Sequence, residues 1–214
     1  MRARQPQSAS KPLPCLWLFT DERVSGEALM AAIRRLPSSS GIVFRHYGLQ
    51  PQERRALLKK VRKAARRQRL IVLLAGEDRW AQGASGRHNP SRRASGTGGL
   101  RSASAHNARE IAAANRQGAD ILFLSPAFPT RSHPGAPALG PMRFAALARL
   151  ARCPVIALGG MNPARFRRLR PLGAYGWAAI DALVQDGMAR FSSRPPPHRR
   201  QTGGGRRSGW RGIG

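Results

Sequence analysis

The chain has 214 residues, 41% hydrophobic and 22% charged, enough for one domain with a sizeable core. No apolar run approaches the roughly 18 residues of a membrane-spanning helix. The opening stretch sets Arg2, Arg4 and Lys11 among prolines without an apolar signal core, so neither a membrane protein nor a secreted one is expected.

The formal charge is +28. Residues 1–14 hold three basic side chains and 190–214 hold seven arginines, which leaves 28 basic residues against ten acids in the body between them. Such a body attracts polyanions non-specifically and equally suits a phosphorylated small molecule. Arginine replacing lysine on solvated helix faces accounts for it as well, since only four lysines occur. Cys15 and Cys153 give neither a disulfide framework nor metal-ligand spacing, and a reducing cytoplasm is the expected location.

Residues 1–14 read as a flexible lead and 15–190 as the domain. L-W-L-F at 16–19, ending in Thr20-Asp21, reads as a first strand. Ser25 suits an N-cap for a helix over 28–36, which Pro37 and the following serines close. G-I-V-F at 41–44 is a second strand, ending in Arg45-His46. Pro51 fits the first turn of the next helix, where no N–H is needed. That helix runs to about residue 68 with Leu57, Leu58, Val61 and Ala65 on one stripe. A third strand covers 70–74. Between 76 and 100 six glycines and much Ser and Arg leave only short strands near 84–88 and 100–103, in a segment otherwise read as loop. From Ser104 the rhythm resumes: helical segments at 107–117, 141–152 and 163–170 alternate with apolar runs at 121–124, 155–158 and 177–180. Residues 191–214 are Arg, Pro, Gly and Ser with little to bury, and read as a disordered tail.

Short continuous apolar runs fit strands buried on both faces of a parallel sheet, and their alternation with helices is the βα signature. Eight strand candidates predict a compact (β/α)8 TIM barrel; about 175 residues is short for that fold, so the units after strands three and four must be shortened. An open doubly wound sheet is the alternative. Either fold gathers functional groups at the carboxyl ends of its strands. Asp21, Arg45, His88, Ser104, His106, Thr130, Ser132, His133, Asn162 and Asp181 all follow a strand candidate. Gly159-Gly160 lies between a strand and a helix, where glycine lets phosphate approach backbone amides; it also fits a plain turn. Thr130, Arg131, Ser132 and His133 offer hydroxyls and cations to phosphate oxygens, or merely cover the barrel mouth. His88 and His106 are acid–base candidates or satisfied structural residues.

Four motifs occur in order after Ser104: S-A-H followed by Glu110, G-A-D before an apolar run, S-P-A-F-P-T-R-S-H, and P-V-I-A-L-G-G-M-N-P. Together they resemble the thiamine phosphate synthase/TenI family, with a weaker likeness over 16–189. The resemblance favours the barrel. It implies a transferase of thiamine biosynthesis that joins hydroxymethylpyrimidine diphosphate to thiazole phosphate. In that family diphosphate leaves with the help of Mg²⁺, and the thiazole nitrogen captures the pyrimidine carbocation. The resemblance further implies that Thr130 and Ser132 hold the thiazole phosphate and that Gly159 or Gly160 contacts it. His133 stands where the family carries a pyrophosphate-binding lysine. Ser104 lies near the pyrophosphate, and Arg45 is the arginine of a Q-x-R-x-K motif. Ser104, His106 and Arg45 are the catalytic candidates.

The departures are as specific. The Gln and Lys of Q-x-R-x-K fall on Val43 and Tyr47, and the Asn-Asp pair after strand three falls on Ala75-Gly76. Glu77 and Asp78, one or two residues on, are candidate substitute metal ligands if the loop shifts. No acid follows Gly86-Arg87-His88 where a second aspartate is expected, and Asp181 replaces a serine after strand eight. Gly159–Arg165 resembles the tautomerase branch, whose catalytic histidine falls here on Pro126. Three readings follow: a synthase-like transferase, a diverged barrel binding a phosphorylated thiazole or thiamine, and a polyanion or RNA binder using the basic body and tail. The expected partners are small phosphorylated substrates, with non-specific nucleic acid on the basic surface and no membrane; a homodimer is compatible.

Overall fold

A computed structural model describes residues 12–76, 84–90, 99–130, 137–180 and 183. The strands are β1 (Leu16–Phe19), β2 (Gly41–Phe44), β3 (Ile71–Ala75), β4 (Gly86–His88), β5 (Leu100–Ala105), β6 (Ile121–Leu124), β7 (Val155–Leu158) and β8 (Ala174–Ala179). They pair in parallel in chain order, and β8 returns to β1 with Trp17 opposite Ala178, so the sheet closes on itself. Closure selects the barrel over the open sheet. The helices are α1 (Gly26–Arg35), α2 (Pro51–Arg67), α3 (Ala108–Arg116), α4 (Gly140–Ala148) and α5 (Pro163–Leu169), the last running into a 3-10 turn at Arg170–Leu172. Among the described residues no helix stands between β3 and β5, as the shortened units require.

The period-two alternation of each strand divides the core into two layers. Trp17, Phe19, Val43, Leu73, Ile121, Phe123 and Ile156 fill the barrel interior. Leu16, Leu18, Ile42, Phe44, Leu122 and Leu124 point outward and meet the helices through Leu29, Ile33, Leu58, Val61 and Phe144. The Trp17 indole takes the space above Gly41: a Cβ on that glycine would lie 2.2 Å from the ring. Phe123 meets Trp17 and Phe19 edge-on, with centroids 5.4 and 4.8 Å apart. Each such contact adds about 0.5–1.5 kcal/mol to plain burial.

Several boundaries differ from expectation for local reasons. Leu13 and Pro14, placed above in the flexible lead, are tied to the barrel: Tyr175 Oη donates to the Leu13 carbonyl at 2.9 Å and Trp17 Nε1 to that of Pro14 at 2.8 Å. Residues 1–11 and the tail lie outside the described residues. The helix expected to 152 stops at Ala148. There the Asn115 amide donates to the Leu150 carbonyl and its oxygen accepts from the Arg152 N–H, diverting both groups from the helix. β5 reaches Ala105 instead of 103, because its ladder with β6 continues through Ser104↔Phe123 and Ala105↔Leu124. Ser104 and His88 are therefore the last turns of strands rather than residues beyond them.

Candidate active site

At the exits of β1 and β2, Thr20 is the hub. Its Oγ1 accepts the Arg45 N–H at 3.0 Å and pairs with His46 Nδ1 at 2.9 Å. The Arg45 side chain turns back over the Phe19 ring, 5.6 Å from its centroid. Its Nε donates to the Thr20 carbonyl and its Nη2 to Asp21 Oδ2, both at 2.9 Å. Asp21 also accepts from Arg23 Nε at 2.8 Å. The Arg23 hydrogen bond is the largest of the influences that pull the Asp21 carboxyl down to about 2. Burial pushes the His46 imidazole below its ordinary value.

Arg54 was not anticipated. It is buried near the start of α2 and donates to the Arg45 carbonyl from Nε and Nη2, at 3.0 and 2.7 Å, and to the Ala75 carbonyl at 2.6 Å. It therefore ties the exits of β2 and β3 together. The signal was present in the helical spacing: Arg54 continues the buried stripe of Leu58, Val61 and Ala65 one turn toward the mouth.

His88 stands inside the barrel between two hydroxyls, with Nδ1 2.9 Å from Ser102 Oγ and Nε2 3.2 Å from Ser104 Oγ. Burial, with Arg45 adding to it, holds its imidazole down to about 4. A ring kept neutral at pH 7 has no acid proton to give, so of the two roles expected for His88 that of general acid is disfavoured. Asn89 folds over the strand end, its side-chain oxygen accepting the Ser104 N–H at 2.7 Å. His106 is exposed after β5. Its Nδ1–H donates to the Ser125 carbonyl at 2.9 Å, and its backbone N–H donates to Glu110. Glu110 is thus spent on the capping box that Asn107 begins at α3.

The loops after β6 and β7 form one rim. Ala127 N–H donates to the Leu158 carbonyl at 2.8 Å and Phe128 N–H to that of Gly159 at 3.1 Å. Gly159 and Gly160 have φ of 90° and 60°. A Cβ on Gly160 would lie 2.4 Å from the Pro129 carbonyl, so this backbone turn sits directly against the residue preceding Thr130. Thr130 is half-buried. Arg165 donates to the Gly160 carbonyl and lies over the Phe128 ring, while Asn162 caps α5 by accepting the Arg165 N–H at 2.8 Å.

Arg45, Ser104, His106, Thr130, Gly159 and Gly160 thus stand at the carboxyl end of one ring of strands. Ser132, His133, Glu77, Asp78 and Asp181 lie outside the described residues. Among the described residues no three His, Cys, Asp or Glu side chains converge as a metal site. The described carboxylates near the mouth are already engaged: Asp21 by two arginines, Glu22 by the Gly48 N–H at 2.7 Å, and Glu110 by the α3 cap. Among the described residues this donor set offers Mg²⁺, which takes free carboxylate and phosphate oxygens, no uncommitted carboxylate at the mouth, and Glu77, Asp78 and Asp181 lie outside them. A groove between α1 and α2, lined by Met30, Arg34, Leu57 and Lys60 among others, lies on the outer helix layer away from these residues.

Comparison with known proteins gives the same direction. Residues 16–183 match the family described as thiamine monophosphate synthase. A putative thiamine-phosphate synthase 2 of Aquifex aeolicus is 27% identical over 186 residues, covering 81% of this chain and 99% of that protein. A thiamine-phosphate synthase of Chloroflexus aurantiacus is 38% identical over 82 residues, 38% of each chain. The thiamine phosphate pyrophosphorylase structure from Pyrococcus furiosus superposes with a TM-score of 0.66 at 23% identity, covering 81% of this chain and 87% of that one, a likeness of fold. With the family matched across the whole barrel, this chain belongs to the thiamine monophosphate synthase family.

Proposed function

We propose that the chain is a thiamine phosphate synthase-like transferase, joining hydroxymethylpyrimidine diphosphate to thiazole phosphate with release of pyrophosphate. The observation that carries this reading is the contact between Gly160 and the Pro129 carbonyl. It brings bare backbone against the residue before Thr130 on one rim, with Arg45 and Ser104 at the ends of other strands of the same ring. Thr130, Ser132 and the Gly159-Gly160 turn hold the thiazole phosphate. Ser104, Arg45 and His133 meet the diphosphate, where hydrogen bonds to anionic oxygens are the strong kind. The bond from the pyrimidine methylene to the diphosphate oxygen breaks, its electron pair leaves with pyrophosphate, and the thiazole nitrogen supplies the pair for the new C–N bond. Hydroxyl and guanidinium groups stabilise the charge that develops on the leaving oxygens. No step is assigned to Mg²⁺, and we place the enzyme in the reducing cytoplasm, since the spacing of its two cysteines gives no disulfide framework.

A second reading is favoured by Val43 and Tyr47 at the pyrimidine-side motif positions and by the engaged carboxylates: a barrel that binds phosphorylated thiazole or thiamine without turnover. Incubation with both substrates, with and without Mg²⁺, followed by detection of thiamine phosphate, decides. Product supports the transferase. Bound thiazole phosphate without product selects the second reading, and failure to bind it ends both.

A further inference from the structure

We propose that His88 is a positioning residue which turns the Ser104 hydroxyl outward as a hydrogen-bond donor to an anionic phosphate oxygen of the substrate. The inference rests on the transferase reading above and names a side chain behind the surface that the substrate touches.

Ser102 and Ser104 are alternate residues of β5, so both point to the same, interior face. His88 pairs in register with Ser102 across the β4–β5 ladder, and its ring lies between the two hydroxyls. The ring edge meets Phe19 and Phe123, with centroids 5.3 and 5.4 Å away and planes at 86° and 75°. His88 is 3% exposed, whereas Ser104 is half-buried and opens to the mouth. The Phe19 ring that packs on His88 also carries the Arg45 guanidinium, so Arg45 and Ser104 approach one mouth from two sides of a single aromatic.

A neutral imidazole has one N–H, and two arrangements satisfy the chain. With the proton on Nδ1, Ser102 accepts it and Ser104 must donate its own O–H inward to Nε2. Ser104 then shows only lone pairs to the mouth, which repel a phosphate oxygen. With the proton on Nε2, Ser102 donates to Nδ1, Ser104 accepts from Nε2–H, and the Ser104 O–H is left to point out. The first arrangement gains a contact from Ser102 Oγ to the Arg87 carbonyl, but at 3.5 Å it is weak. A bound anion therefore selects the Nε2–H tautomer, and Ser102 stabilises it from below. The same ring takes no proton from the reaction itself.

The test uses the full-length protein, ¹⁵N-labelled at histidine, with inorganic pyrophosphate as probe. The His88 resonances should show the Nε2–H tautomer in the pyrophosphate complex. In parallel, His88→Gln, whose amide nitrogen reaches the Nε2 position, should bind pyrophosphate within about threefold of the unmodified protein. His88→Asn, too short to reach Ser104, should lose about tenfold or more, the scale of one hydrogen bond to a charged group. The loss should appear in KM for the diphosphate substrate before kcat. Equal affinities for Gln and Asn, or an Nδ1–H tautomer in the complex, overturn the proposal while leaving the transferase reading intact. If His88→Asn fails to fold, the resonances of the unmodified protein decide alone. Failure of the unmodified protein to bind pyrophosphate overturns both.

Discussion

Arg45 Nη2 donates to Asp21 Oδ2 at 2.9 Å, joining the exits of β1 and β2 through a single carboxylate that Arg23 grips by both oxygens. The pair adds a third restraint to a guanidinium that the Thr20 carbonyl and the Phe19 ring also hold. It also uses up a carboxylate at the mouth. In the proposed site one residue thus aims a guanidinium at the mouth and takes a carboxylate away from any cation.

Asp21→Asn should loosen Arg45 and weaken pyrophosphate binding several-fold without abolishing it, since the Thr20 carbonyl still accepts from Arg45 Nε. The same variant has a pH signature. Asp21 is held down to about 2, below the ordinary carboxylate near 4, so its stabilisation is fully present above pH 4 and is lost as pH falls toward 2. Thermal melts of both proteins should differ most at about pH 5 and converge as the medium approaches pH 2. A gap that stays constant with pH would show that the lost stability is not the ion pair's.

Two glycines separate backbone strain from steric collision. Gly118 and Gly160 have φ of 67° and 60°, but a Cβ on Gly118 meets nothing within 4 Å while one on Gly160 strikes the Pro129 carbonyl. Gly118→Ala should therefore cost about 1–2 kcal/mol, the strain of a left-handed alanine. Gly160→Ala should cost more than that and also lower thiazole phosphate affinity, because the loop before Thr130 must move. Denaturant melts of both variants check the ordering, and equal costs would mean that the β6 and β7 loops do not press on one another.

Much of this architecture was legible. The β1, β2 and β6 runs are apolar at every position, which fits a strand buried on both faces although a short buried helix would read alike, and they lie where strands were expected. What escaped was set by partners distant in sequence. Asn115 ends α4 from 35 residues away, and Arg54 is buried because the Arg45 and Ala75 carbonyls need a donor. Neither fact is written in local propensity. The placement of the candidate site was half legible: hydroxyls and glycines gather at strand ends as the sequence predicts, whereas the Ser102–His88–Ser104 chain depends on the register between β4 and β5, which no motif spells out.

The double variant Thr130→Ala, Ser132→Ala should raise the Kd for thiazole phosphate by about tenfold or more, the scale of two hydroxyl donors to a charged oxygen. Its affinity for pyrophosphate should stay within about twofold, since Ser104 and Arg45 lie on other strands. Titration calorimetry with each ligand reads both numbers. An unaltered thiazole phosphate affinity would remove Thr130 from the site and leave the Gly159-Gly160 turn to explain it.

The charge of the chain makes a separate, salt-dependent expectation. α2 exposes Arg55, Lys59, Lys60, Lys63, Arg66 and Arg67, against the single acid Glu53 in the same helix. Like charges four residues apart repel by about 0.2–0.5 kcal/mol per pair, so a polyanion that neutralises them relieves that repulsion as well as releasing its own counterions. Truncation at Arg190 removes six further arginines. If each touches a phosphate, the slope of log affinity for single-stranded RNA against log salt should fall by up to ~4, at about 0.7 per contact. The shortened protein should still bind at low salt, and Lys59→Glu with Lys63→Glu should reduce the remaining slope by a further ~1.4 on the same scale. Thiamine phosphate formation should be indifferent to both changes, because the α2 charges lie on the outer helix layer and 191–214 follow the residues that the sequence assigns to the barrel. A slope that truncation leaves untouched would assign the polyanion contacts to the barrel body, and a slope that vanishes with the tail would clear α2 of any part in them.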